Sequence, residues 1–175
     1  ITRANDGTLL CVFRGGREGP TDPYGKVNLI KSYDGGETWR DLETVASTVL
    51  DDRDPGVLVL PSDEIFVTWF TADTGEKLKL YDNYYPQSPP SWRRHLEKIP
   101  LKAREAAIGN WATIWDAKRH VWNAPVSTIA RTPHGPILLK DGRLLFVGNC
   151  GRKYLAVESA DQGRTWQVIG EVPWY

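Results

Sequence analysis

Short apolar runs such as Val57-Leu58-Val59-Leu60 alternate along the chain with Gly, Pro, Asn and Asp, which predicts many short strands and tight turns. The predicted strands fall into three groups of four. The first is 1–4, 8–14, 26–32 and 39–45; the second is 55–60, 64–70, 110–116 and 121–129; the third is 135–140, 143–149, 153–159 and 166–172. A turn signal separates the first two strands of each group: Asn5-Asp6-Gly7, Pro61-Ser62-Asp63 and Lys140-Asp141-Gly142. Residues 71–109 break the pattern and read as an insertion. Within it, 83–90 is aromatic and proline-rich and should be irregular, and 91–97 and 101–108 predict two short helical segments split by Pro100.

One eight-residue pattern occurs twice. Ser32-Tyr33-Asp34-Gly35-Gly36-Glu37-Thr38-Trp39 and Ser159-Ala160-Asp161-Gln162-Gly163-Arg164-Thr165-Trp166 share the skeleton Ser-x-Asp-x-Gly-x-Thr-Trp. Its chemistry is that of a hairpin turn. The Asp carboxylate accepts backbone N–H groups, Gly supplies positive φ, the hydroxyls close further bonds, and the Trp ring packs against a neighbouring layer. These residues are expected to hold the fold rather than touch a ligand. Trp122 is a degenerate third copy. It precedes Trp166 by 44 residues, and it follows Trp39 by the same period once the 39-residue insertion is set aside. Such a period suits a four-stranded sheet repeated around an axis.

Composition narrows the function classes. The chain has 175 residues, enough for one sizeable core, with 22 Lys+Arg against 22 Asp+Glu. A zero net charge disfavours nucleic-acid and anionic-membrane binding, and no apolar run is long enough to cross a bilayer. The sequence contains no Met, so a processed chain or a fragment is expected. Cys11 and Cys150 lie far apart without metal-ligand or CxxC spacing, and are expected to be buried strand residues. No phosphate-cradling Gly loop or His/Cys ligand set appears, so no cofactor and no metal is expected.

The repeated octapeptide resembles the Asp box of sialidase-like (neuraminidase-type) β-propellers, which carry such BNR repeats. Asp6-Gly7-Thr8-Leu9-Leu10 and Asp141-Gly142-Arg143-Leu144-Leu145 resemble second-strand openings of that family. Asp52-Arg53-Asp54-Pro55 and Thr132-Pro133-His134-Gly135-Pro136 resemble its first-strand lead-ins. The resemblance implies an all-β fold of three four-stranded blades, half of a six-bladed ring. Blade one would span 1–50, blade two 51–131 with the insertion, and blade three 132–175. The partner expectation is then a homodimer closing the ring, or otherwise a longer chain of which this is a fragment. The resemblance also implies a location outside the cytoplasm.

In this topology the β-turns alternate between the two ends of the sheets, and most charged clusters fall at the end opposite the Asp boxes. Arg53 and Asp54, just before an innermost strand, should point toward the axis and hold a sugar hydroxyl or carboxylate, or else form an inter-blade ion pair. Arg14 faces the same mouth. His134 is a pocket donor or a loop cap, and Arg93, with Arg94 and His95, is a ligand contact or the solvated side of a helix. Tyr84 and Tyr85 line a sugar subsite or pack the insertion. By its place ten residues before Ser32, the resemblance assigns Asp22 the catalytic acid/base role. The family's Arg-Ile-Pro arginine, its third arginine and its Tyr nucleophile have no counterpart in these residues, and Glu105 is the stand-in for its Glu. The function expected is a carbohydrate-active propeller, an exo-glycoside hydrolase or relative acting on a glycan. The alternatives are glycan binding without hydrolysis and a protein scaffold.

Overall fold

The computed structural model describes residues 1–16, 22–75 and 90–173. Their strands form three antiparallel sheets. The first contains β1 (Thr2–Arg3), β2 (Leu9–Gly15), β3 (Lys26–Ser32) and β4 (Arg40–Ala46), in that order. The middle sheet contains β5 (Asp51–Val59), β6 (Ile65–Ala72), β7 (Gly109–Asp116) and an outer strand in two pieces, β8 (Val121–Trp122) and β9 (Val126–Ser127), both paired to β7. The third contains β10 (Ile137–Leu138), β11 (Leu144–Cys150), β12 (Lys153–Ser159) and β13 (Gln167–Val172). Two helices, α1 (Pro90–Glu97) and α2 (Leu101–Ala107), fill the described part of the insertion. The all-β reading therefore holds, with three meandering sheets.

The first turn of each sheet is built alike. Ala4 N donates to Thr8 O, Leu60 N to Glu64 O and Leu139 N to Arg143 O, at 2.8–2.9 Å. This places Thr8, Glu64 and Arg143 at equivalent positions and fixes which face each following residue takes. Val67 and Trp69 of β6 face the first sheet, packing with Val12, Val27 and Val45. Phe66, Ala112 and Ile114 face the third sheet and meet Leu144 and Trp166. The middle sheet is thus buried on both faces. Its β6 is accordingly a nearly continuous apolar and Thr run, closed to solvent from Phe66 to Ala72.

Several boundaries differ from expectation. β5 starts at Asp51, so Arg53 and Asp54 lie inside the first strand instead of before it; a bulge between Arg53 and Gly56 takes up Pro55, which has no N–H to give the ladder. The segment 121–129 is two short pieces because Asn123-Ala124-Pro125 interrupts the pairing. β4 and β13 begin after Trp39 and Trp166, whose indole N–H groups donate to Gly36 O (3.1 Å) and Gly163 O (3.2 Å) and so belong to the turns. β6 runs to Ala72, which shortens the insertion. Cys11 is half-buried in β2, but Cys150 ends β11 and is exposed, since the sheet rim there leaves it uncovered.

Candidate functional site

The two octapeptide turns, at 32–39 and 159–166, lie at one end of the sheets. In the first, Asp34 accepts from Thr38 N (2.9 and 3.1 Å) and Thr38 Oγ1, Ser32 Oγ donates to Asp34 (2.7 Å), and Gly36 N donates to Ser32 Oγ (2.9 Å). The second repeats this through Asp161, Thr165, Ser159 and Gly163 at 2.6–2.8 Å. Hydrogen bonds from Thr38 and Ser32 hold the Asp34 carboxyl well below the usual carboxylate range. At Asp161 burial works to raise the pKa, and the Thr165, Ser159 and Arg164 bonds outweigh it and lower it. In the degenerate copy, Asp116 accepts from Lys118 N and Arg119 N at 3.0 Å, and Trp122 Nε1 donates to Glu43 instead (2.6 Å). These carboxylates are occupied by their own turns, as a structural role requires.

At the opposite end the chain gathers arginines and acids. Arg14, closing β2, donates from Nε to Asp51 Oδ1 (2.6 Å), and from Nη2 to Asp22 O (2.9 Å) and Asp22 Oδ1 (3.2 Å). Asp22 also accepts from Tyr24 N (2.9 Å). Arg53 Nη1 lies 3.4 Å from Asp51 Oδ2. Asp22, Asp51 and Asp52 are fully buried. Asp52 points back into the fold, accepting from Thr48 N (2.6 Å) and Thr71 Oγ1 (2.5 Å). Burial pushes Asp51 up, against the pull of Arg14 and Arg53; burial likewise raises Asp52 against its Thr71 and Thr48 bonds. Gly25 permits this cluster, because a Cβ there would lie 1.9 Å from Asp51 Oδ1 and 2.5 Å from Arg14 Nε.

Some polar capacity at this end is unspent. Asp51 Oδ2 and Arg53 Nε are buried without a hydrogen bond. Asp54 sits in the β5 bulge at φ 46°, half-buried, with no hydrogen-bonding or ionic partner among the described residues. A non-Gly residue in that region is strained, and such strain concentrates where a side chain must be aimed. Just beyond the bulge Gly56 touches the Gly135 backbone, which brings the His134 main chain alongside, while the His134 side chain is exposed. The Arg131 guanidinium lies over the Phe70 ring (4.3 Å), and Phe70 pairs with Arg53.

The helices reach this cluster through Tyr24. Trp92 and Leu96 of α1 pack on Leu50 and Tyr24, and the Tyr24 and His95 rings meet edge-on at 4.8 Å. Arg93 and Arg94 lie on the exposed side of α1. Arg104 does not join the cluster: its Nε donates to Asp73 (2.8 Å), pinning α2 to the end of β6. Glu105 is exposed on α2, away from any described partner. Arg17, Glu18, Tyr84 and Tyr85 and most of 83–90 lie outside the described residues. The structure thus brings Arg14, Asp22, Arg53 and Asp54 to one end of the sheets. It adds Asp51, whose only sequence signal is its place in the acidic run before Pro55. Among the described residues no His, Cys, Asp and Glu cluster forms a metal site, and no helix is long and apolar enough to cross a membrane.

No family model and no curated protein matches the chain by sequence. Solved structures do match by fold. A Hadza microbial sialidase, Hz136, superposes with a TM-score of 0.62 at 18% identity, over 98% of this chain and 36% of its own. A polysaccharide lyase of a new family, the PL25 ulvan lyase, gives 0.50 at 14% identity, over 99% of this chain and 43% of its own. The chain therefore has an all-β fold resembling that of a sialidase, and spans less than half the length of either structure.

Proposed function

We propose that the three sheets are three blades of a sialidase-type propeller, and that the chain acts on glycans at the end where the innermost strands begin. The observation that carries this reading is the Arg14–Asp22–Asp51–Arg53 cluster, its two carboxylates fully buried, beside Asp54, which has no partner among the described residues. Concave polar sites that bind ligands are built from a few fixed charges with spare hydrogen-bonding capacity. Arg53 and Asp54 take sugar hydroxyls, and Arg131 and His134 flank them. Asp22 is the proton-transfer group of an exo-glycoside hydrolase, held in place by Arg14 and the Tyr24 N–H. It gives its proton to the departing glycosidic oxygen and takes one back from water. The sialidase and polysaccharide lyase folds of the neighbours support a carbohydrate ligand.

A second reading is favoured by one observation. Asp22 is fully enclosed and bonded to a guanidinium, an arrangement suited to a fixed structural anion. Under that reading the mouth binds glycans without cleaving them. Fluorogenic sialosides and other glycosides, tested with the wild type, Asp22→Asn and Asp54→Asn, separate the two. Hydrolysis requires turnover that falls about 10²-fold or more in Asp22→Asn. Glycan-array binding without turnover, weakened by Asp54→Asn, selects the binding reading. Neither turnover nor binding refutes both.

A further inference from the structure

The degenerate third octapeptide is where the chain departs from its own rule. Strand pairing aligns it. Ser32 sits opposite Leu9 and Ser159 opposite Leu144, and Trp115 takes the same place, one residue beyond the Phe66–Ile114 pair. Residues 115–122 then match the octapeptide position by position. Trp115 stands for Ser, Ala117 for Asp, Arg119 for Gly and Val121 for Thr, and only the closing Trp122 is kept. The two complete copies satisfy their own polar groups. The third gives up those side-chain bonds, a local cost of about 1–2 kcal/mol, for an indole and a long cation. A breach of local consistency of this kind points to function.

The exchange opens the seam between the first and middle sheets. At the seam between the middle and third sheets, the third sheet's turn packs down on Phe66: a Cβ on Gly163 would lie 2.2 Å from its ring, and the Trp166 ring is 6.1 Å away. At the first seam Leu10 is the counterpart of Phe66, and in place of Gly163 stands Arg119, whose side chain is 71% exposed. A cavity of about 390 Å³ remains there, lined by Leu10, Lys31, Tyr33, Asp63, Trp115 and Ala117 among others. It lies between two sheets of the chain, at the end opposite the Arg14–Asp51 cluster, and the β2–β3 and β6–β7 connections leave from that other end. Its polar groups keep spare capacity. Asp63 accepts from Asn5 Nδ2 through Oδ1 (2.5 Å), while its Oδ2, Lys31 Nζ and Trp115 Nε1 make no hydrogen bond among the described residues. The Tyr33 ring is held by the Arg40 guanidinium (4.6 Å) and by its hydroxyl bond to Asp41 (2.7 Å).

We propose that this cavity is a glycan-binding site separate from that cluster, with room for about one or two pyranose rings. A pyranose presents an apolar C–H face to the Trp115 and Tyr33 walls. Its hydroxyls donate to Asp63 and accept from Lys31. Asp6 and Asp63 outnumber Lys31 on the walls, which selects a neutral sugar over an anionic one. Fixed aromatic walls with a few convergent polar groups keep the ordering cost of binding low.

A glycan array of neutral and anionic oligosaccharides, followed by titration of the retained sugars with tryptophan emission as the signal, tests this. Trp115→Ser, Ala117→Asp, Arg119→Gly and Val121→Thr together rebuild the complete octapeptide and fill the seam. That variant should keep its strand signal in circular dichroism and bind neutral sugars at least about tenfold more weakly. Lys31→Gln removes one donor from a half-buried side chain that no described residue bonds, and should weaken binding about three- to tenfold without lowering Tm. Asp54→Asn, at the other end of the sheets, should leave this binding unchanged. A chain that retains no neutral glycan overturns the proposal. So does binding that is lost in Asp54→Asn yet is as tight as wild type in Lys31→Gln and in the rebuilt turn, since the sugar then sits at the other end. Turnover of glycosides by Asp22 is read in a separate assay, so either reading can fail while the other stands.

Discussion

Arg14→Met is the sharpest perturbation of the buried cluster. Met keeps much of the side-chain volume and removes the charge. It deletes the 2.6 Å bond to Asp51 and both bonds to Asp22, two carboxylates with no solvent exposure. Arg53, 3.4 Å from Asp51, stays in place but does not replace them. Breaking a buried pair from one side costs about 3–5 kcal/mol. For a chain of this size that lowers Tm by about 6–20 °C at pH 7. The sign with pH follows from Asp51. Burial already raises its folded pKa above the ordinary 3.8, and losing Arg14 raises it further. A raised carboxyl costs stability as pH climbs from the unfolded value through the folded one, so the deficit relative to wild type is full at pH 7 and shrinks as pH falls toward 4. Adding Asp51→Asn removes one stranded charge and should recover about half of the loss at pH 7. Urea melts followed by tryptophan emission at pH 7 and pH 5 measure all three proteins. A loss below about 1 kcal/mol, or one equal at both pH values, refutes the claim that Arg14 neutralises enclosed acids.

Gly56→Ala should cost at least about 2 kcal/mol in thermal melts, because the new Cβ would lie 2.5 Å from the Gly135 backbone, which cannot rotate away; it should also weaken any glycan signal, since Asp54 is two residues away. Asp161→Ala removes the bonds to Thr165, Arg164 and Ser159 and should cost about 1–2 kcal/mol in urea melts, with a red shift as the Trp166 ring, 5.2 Å from Phe146 and 6.1 Å from Phe66, loosens. Asp34 has a lowered folded pKa, so its contribution is present above about pH 4 and is lost as pH falls through the folded value. An acid titration of Asp34→Asn should show a flatter acid limb than wild type.

Much of the fold was legible because the turns are spelled out locally. Ser, Asp, Gly, Thr and Trp at fixed spacing can satisfy one another within eight residues, so both octapeptide hairpins and the strands beside them follow from sequence. The β1–β2, β5–β6 and β10–β11 turns were equally local. The start of β5 was not, because Pro55 reads as a strand opening, and only the pairing of Asp51 with Ala72 and Asp52 with Thr71 carries the strand back past it. The candidate site was half legible. Topology brought Arg14, Arg53 and Asp54 to one end. The role of Asp51 depends on an arginine 37 residues away, and the inward turn of Asp52 depends on Thr48 and Thr71. Those long-range contacts leave no periodic trace. The exposure of Cys150 was missed for the same reason, since rim and core positions look alike in a strand pattern.

The way the insertion joins the middle sheet makes it exchangeable. Thr71 and Gly109 face each other across the β6–β7 ladder, so whatever chain runs between them leaves and returns at adjacent points of one rigid hairpin. Lengthening such an excursion adds little closure entropy. Helices α1 and α2 rest on Leu50 and Tyr24, directly beside the acidic cluster. A lineage or an engineer can therefore rewrite what lies beside that cluster while the strand order of the sheets stays as it is.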